Sequence, residues 1–277
     1  IGDTIRVSLT EDPELEIPVC RDIVNRYTQR AEKSIVIPEQ EKLPYSPFDY
    51  KRRETIEVFN TGGKHVPVVV ADLSKIEKIA PDHLRDIGYT YDAGTDKWHI
   101  GDAAADYIFT GDQELDFALP GTVKVLLYPE EWTSAADKEK YVPLFEPDQY
   151  LDDRQEKSQH QNMLMVDCYS PGYPDQSLDR LFERVKNDPT VILALSSTNA
   201  NALQSIRRMF AELMEKGISN PAIILCDSRH GSTDESLVHY AIEAGGLLLD
   251  GLGDGVCFGH HFGNAAVPSQ AALLHSI

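Results

Sequence analysis

Val191-Ile192-Leu193-Ala194-Leu195-Ser196-Ser197-Thr198-Asn199, followed through to Ala222-Ile223-Ile224-Leu225-Cys226-Asp227-Ser228-Arg229-His230, is the stretch that decides the fold. It opens on five apolar residues without alternation, the pattern of a strand covered on both faces. It then turns polar. Leu203, Ile206, Met209, Phe210 and Leu213 follow at helical spacing, closed by Gly217 as a C-cap. A second apolar run starts at Ala222 and again ends in polar residues. Strand, polar end, amphipathic helix and strand make one repeat of a parallel α/β fold.

The same phrase recurs on either side. Apolar runs at 67–71, 106–109, 123–128 and 163–166 precede it, and 246–249 follows. Leu178, Leu181, Phe182 and Val185 form another helical stripe. Leu237, Val238, Ala241 and Ile242 form a third, closed by Gly245-Gly246. Seven or eight such units predict an α/β fold of (β/α)8, TIM-barrel-like type with mostly parallel strands. An open doubly wound sheet is the rival. The polar stretch 139–162, with Asp152-Asp153-Arg154-Gln155-Glu156-Lys157, reads as an exposed loop or a solvated helix.

The beginning of the chain reads differently. Residues 1–33 form one isolated βα unit: a β-rich run from Thr4 to Leu9, Asp12 as N-cap, then Pro13 at the first helical position. Pro18 predicts a restart or kink, and Cys20, Ile23, Val24 and Tyr27 continue the helical spacing. Residues 34–66 hold Pro38, Pro44, Pro47 and the basic run Lys51-Arg52-Arg53, and end on the turn signal Asn60-Thr61-Gly62-Gly63. They read as a linker or crossover, the basic run as a solvated or salt-bridged face. The barrel-like domain then occupies 67–277.

Composition narrows the function classes. The chain has 277 residues, 42% of them apolar, and a formal charge of −19. The acidity argues against nonspecific binding to nucleic acid or anionic membranes, and no run approaches the length of a membrane span. A first residue of Ile rather than Met suggests a fragment. Cys20, Cys168, Cys226 and Cys257 contain no C-x-x-C pair. They read as buried free thiols of a reducing cytoplasm, not as a metal or cluster site.

Candidate site residues fall at strand ends, where barrels of this type carry their chemistry. Ser197, Asn199, Asp227, Arg229 and His230 could line a small-molecule or phosphate site at the mouth. Equally, Asn199 and Ser232 or Asp234 could simply cap the next helices. Cys257, His260 and His261 lack a fourth zinc ligand at a recognised spacing, and Gly251-Leu252-Gly253-Asp254-Gly255 is a turn rather than a dinucleotide loop. No convergent acid–base pair marks a catalytic residue. Arg6 and Ser8 are the strongest pair. Two residues apart on a strand they share one face, and a guanidinium beside a hydroxyl ahead of a helix N-terminus suits an anion. The frame returns at Leu252-Gly253-Asp254-Gly255-Val256-Cys257-Phe258-Gly259, with Cys257 in place of Arg6 and Gly259 in place of Ser8.

Ile1-Gly2-Asp3-Thr4-Ile5-Arg6-Val7-Ser8-Leu9-Thr10, with Asp12-Pro13 and the helix after it, resembles the end of the substrate barrel in the 4-hydroxy-3-methylbut-2-enyl diphosphate synthase (IspG/GcpE) family of the methylerythritol phosphate isoprenoid pathway. Phe48-Asp49-Tyr50-Lys51-Arg52-Arg53-Glu54-Thr55 and Leu249-Asp250-Gly251-Leu252-Gly253-Asp254-Gly255 resemble the insert of its three-domain form. The resemblance implies an oxidoreductase that converts 2-C-methyl-D-erythritol 2,4-cyclodiphosphate into an allylic diphosphate. Electrons would come from ferredoxin or flavodoxin through a [4Fe-4S] cluster. It implies that Arg6 and Ser8 hold the substrate diphosphate. The cluster ligands have no match in this chain, so the fragment alone should be inactive. It implies a bacterial cytoplasmic protein, or a plastid one in a plant. The insert would be a structural spacer, or alternatively a diphosphate-binding regulatory module. If it is a decayed copy of the first barrel, the 252–259 phrase is its closing strand with the anion groups lost.

Overall fold

Eight strands close into a parallel barrel in which each strand pairs with the next in sequence and the last with the first. They are β1 (Val68–Asp72), β2 (Tyr107–Gly111), β3 (Lys124–Leu127), β4 (Tyr141–Phe145), β5 (Asn162–Asp167), β6 (Val191–Ser196), β7 (Ala222–Ser228) and β8 (Gly255–His260). The structure, a computed structural model, describes residues 4–8, 10, 12–28, 37–170, 175–228 and 232–260. The closed order excludes the open doubly wound sheet.

Alternation along each strand divides the side chains between two cores. Val68, Val70, Tyr107, Leu126, Val142, Leu144, Met163, Ile192, Ala194 and Ile223 fill the barrel interior. Their neighbours in sequence face outward against the helical layer. The interior is thus packed with side chains, as expected for eight strands.

The outer layer differs between the halves. After β5 it is regular: α4 (Asp175–Lys186), α5 (Ala202–Glu215), α6 (Thr233–Glu243) and the short α7 (Gly245–Leu249). The stripes of α4 and α5 are buried as expected. Gly217 ends α5 with φ +67°, and the Ile218 amide donates to the Leu213 carbonyl. Before β5 the layer is irregular. It holds a 3-10 helix (Pro81–Ile87), a hairpin of Tyr89–Asp92 with Lys97–Ile100, and the short helices α2 (Pro129–Ser134) and α3 (Pro147–Leu151).

Four expectations need correction. The run 246–249 is helical, because it continues the α6 layer and turns into β8 through the Leu252 amide bonded to the Leu247 carbonyl. The stretch 139–162 is not a plain loop or solvated helix but contains β4 and α3. On α6 the fully buried side chains are Ser236, Tyr240 and Glu243, while Leu237, Val238 and Ile242 are only half-buried and Ala241 is exposed. Glu243 goes inward because its carboxylate accepts the Leu203 amide at 2.7 Å, capping α5 from a neighbouring helix. Finally, residues 4–8 form no strand among the described residues, since a strand needs a neighbour and no segment pairs with them. The helix α1 (Pro13–Thr28) follows, unbroken at Pro18.

Residues 51–66 cross the base of the barrel, the end where the strands begin. A hairpin of Glu57–Val58 with Thr61–Gly62 closes it. Arg53, 6% exposed, donates to the carbonyls of Asn220 and Ile218 at 3.0 and 2.6 Å. Arg52 pairs with buried Asp254 at 3.0 Å. Asp254 also accepts the Thr55 hydroxyl and the Ala222 amide. The basic run is therefore salt-bridged throughout, with Lys51 solvated beside Glu54 and Arg52 and Arg53 turned in against the barrel. It fastens the linker to the barrel.

Candidate functional site

The mouth is the end where strands β1 to β8 finish. Inward-facing residues one step beyond the packed interior meet there. Asp72 continues the inward set Val68 and Val70. Glu146 follows Leu144, Asp167 follows Met163 and Met165, and Asp227 follows Ile223 and Leu225. Four carboxylates thus ring the opening. On β8 the inward positions are Gly255, Cys257 and Gly259. A Cβ at Gly259 would collide with the Asp227 carboxylate and approach the Asp72 carboxylate.

The electrostatics follow from this crowding. Burial raises the Asp167 carboxyl above the ordinary carboxylate range, against the Ser170 hydroxyl that donates to it. Burial raises Glu146 as well, helped by Asp167 and Asp148. The Cys257 thiol is pushed up by burial and by Asp72 and Asp227. Each shift signals a place where added negative charge is unfavourable.

The sequence-derived mouth residues divide. Ser197 donates to the Cys168 carbonyl at 2.7 Å and accepts the Asn199 amide. Asn199 is buried, accepts the Asn201 amide at 3.1 Å and reaches back to the Tyr169 carbonyl. Both therefore tie the loop after β5 to the loop after β6 and lead into α5. The Asp227 side chain is exposed, and its carbonyl contacts the His239 ring at 2.9 Å. Arg229 and His230 lie outside the described residues. Ser232 caps α6 by accepting the Glu235 amide. The residues overlooked are Asp72, Glu146 and Asp167. Their signal was present: Asp72, Asp167 and Asp227 are each the first polar residue after an apolar run, as Glu146 is after β4.

Arg6 and Ser8 are both exposed and lie outside the barrel. Their counterparts in the echo, Cys257 and Gly259, stand on the inner face of β8, the last strand. That is the position a duplication requires.

The four cysteines are free. Cys168 and Cys226 are buried in the outer packing, and burial drives their thiols up, opposite to what a thiolate ligand needs. No group of three or more His, Cys, Asp or Glu side chains is placed to hold a metal ion among the described residues. The chain's own cysteines do not fit an iron–sulfur cluster.

No family model matches the chain. Individual curated proteins do. The "4-hydroxy-3-methylbut-2-en-1-yl diphosphate synthase (flavodoxin)" of Parabacteroides distasonis is 30% identical over 278 residues, covering 99% of this chain and 40% of that protein. The chain resembles these synthases along almost its entire length. The protein of the same name from Bacteroides thetaiotaomicron is 29% identical over 92% of this chain and 37% of its own length. The "4-hydroxy-3-methylbut-2-en-1-yl diphosphate synthase (ferredoxin), chloroplastic" of Arabidopsis thaliana is 30% identical over 92% of this chain and 37% of its own. The chain spans about two fifths of the length of the curated synthases it matches. No helix among the described residues is long and apolar enough to cross a membrane.

Proposed function

We propose that this chain is the inserted barrel of a three-domain 4-hydroxy-3-methylbut-2-en-1-yl diphosphate synthase, joined to the last βα unit of its substrate barrel. Residues 1–33 belong to the substrate barrel, 34–66 to the linker and 67–277 to the insert. The whole enzyme reductively opens the cyclic diphosphate with electrons from flavodoxin or ferredoxin. It works in the cytoplasm of a bacterium or the plastid of a plant. The cluster that delivers the electrons is held elsewhere in that enzyme.

Within this reading the two anion-facing surfaces have opposite roles. Arg6 and Ser8 present a guanidinium and a hydroxyl to the substrate diphosphate. The insert is a structural spacer, and the observation that carries this role is its mouth. The interior is filled, and four carboxylates face the opening where a diphosphate would have to enter. The apolar side chains Leu15 and Ile17 of α1, 54% and 51% exposed, support a helix whose packing partner is another part of the enzyme.

The test is kinetic. Arg6→Ala in the whole enzyme raises KM for the cyclic diphosphate by the loss of a charged hydrogen bond, about 1.5–3 kcal/mol. Unchanged kinetics would remove Arg6 from the site. Arg229→Ala leaves turnover near wild type. A fall in turnover without unfolding, or saturable binding of isoprenoid diphosphates that depends on Arg229, would favour a regulatory mouth over a spacer.

A further inference from the structure

We infer that the base of the barrel carries an anion-binding cleft of its own, shaped for a small organic anion whose flat body lies on Phe59 and whose charge meets Lys124 and His160. The cleft has a volume of about 410 Å³ and opens between the base hairpin and the start of β4. It is independent of the Arg6–Ser8 pair.

The first observation is backbone strain. Phe59 sits in the two-residue loop between Val58 and Thr61 with φ +55°. Glycine is the residue that adopts this conformation without penalty, and a bulky side chain there is an outlier. Burial does not compensate, because Phe59 is 57% exposed. The two-residue hairpin loop imposes this conformation, and the ring it holds out lines the cleft, touched within the chain by the Lys124 ammonium.

The second observation is a cation without a carboxylate. Lys138 pairs with Glu156 and Lys140 with Asp137. Lys124 pairs with no carboxylate among the described residues. Its ammonium lies 4.9 Å from the centre of the Phe59 ring and donates to the Glu139 carbonyl. His160, exposed, also lines the cleft, with Lys138 and Glu139. The floor is polar and fixed: Gln161 is buried and donates to the Tyr107 hydroxyl at 2.6 Å. A planar hydrophobic wall, a cation with donors to spare and a rigid polar floor form a mostly preformed site for an aryl or short alkyl anion.

The experiment is calorimetric titration of the intact protein with phenyl phosphate, with inorganic phosphate as the head group alone. Phenyl phosphate binds saturably and at least about tenfold tighter than inorganic phosphate. Lys124→Gln and Phe59→Gly each weaken it about tenfold or more, while Lys97→Gln, outside the cleft lining, leaves it unchanged. Phe59→Gly also melts at or above the wild-type temperature, because it removes strain rather than packing. Absence of saturable binding would overturn the inference, as would equal affinity for inorganic phosphate. Binding that survives Lys124→Gln, or is weakened equally by Lys97→Gln, would overturn it too. Were Phe59→Gly to unfold, Lys124→Gln would still decide the matter.

Discussion

The base and the mouth of this barrel are built on opposite electrostatic plans. At the base, opposite charges meet: Arg52 and Arg53 converge on Asp254, which also accepts the Thr55 hydroxyl and the Ala222 amide. Tyr107 anchors the closing hairpin by donating to Asn60 at 2.5 Å while accepting from Gln161. At the mouth, carboxylates gather; burial raises Asp167 and, with Asp167 and Asp148 beside it, Glu146. In this fold the base serves stability and the mouth serves chemistry. Here the base joins opposite charges, whereas the mouth gathers carboxylates. The difference separates a charge network that folding uses from one that folding tolerates.

The sharpest way to break the comparison is Arg53→Ala. It strands the carbonyls of Asn220 and Ile218 and removes a charge from beside buried Asp254. Removing one partner of a buried charged network costs about 3–5 kcal/mol. Urea denaturation of the intact protein should show this, with Arg53→Lys falling between, because an ammonium cannot span both carbonyls. A loss below about 1 kcal/mol would mean the base is not held by this network.

Tyr107→Phe is the next step down. It keeps the ring that fills the barrel and deletes the hydroxyl on which Asn60, Thr61 and Gln161 converge. Leaving those groups underpaired costs about 1–3 kcal/mol. Amide hydrogen exchange should report faster opening at Thr61 and Gly62 than in β6. Uniform acceleration across the barrel would show that the hairpin is not a separate latch.

Why some of this was legible in the sequence and some was not follows from particular residues. The second half of the barrel announced itself, because α4 and α5 bury single-period stripes and β5 to β7 are uninterrupted apolar runs. In the first half, packing is carried by isolated large residues tied through polar groups. The Trp132 indole donates to the Tyr141 carbonyl at 3.0 Å, and the Tyr89 hydroxyl donates to the Ala105 carbonyl at 2.6 Å. Such contacts have no period. β4 was hidden by Pro143, a residue that argues against a central strand, although it stands opposite Leu127 in the ladder. The run Gly245-Gly246-Leu247-Leu248-Leu249 is short enough to serve either as strand or as helix. The inward turn of α6 depends on Glu243, whose burial is decided by an amide on another helix. At the mouth, polar strand ends were visible, but their convergence into a ring of carboxylates needs the closed barrel.

The smallest effect tests the mouth most directly. Asp167→Asn keeps an oxygen to accept the Ser170 hydroxyl and removes one of four neighbouring charges. The carboxyl is partly open to water, so screening limits the gain to a few tenths of a kcal/mol at pH 7. The pH dependence carries the sign. Because the folded state raises the Asp167 carboxyl above its unfolded value, folded molecules bind more protons than unfolded ones in the window between the two. Stability from this group therefore rises as pH falls through that window and is lost as pH rises through the folded value. Calorimetric melting of wild type and Asp167→Asn across mild acid should converge, the variant's advantage at pH 7 fading as the wild-type carboxyl takes up its proton. A variant less stable than wild type at pH 7, or a difference that grows on acidification, would show that Asp167 acts as a favourable charge, and the contrast between base and mouth would fail there.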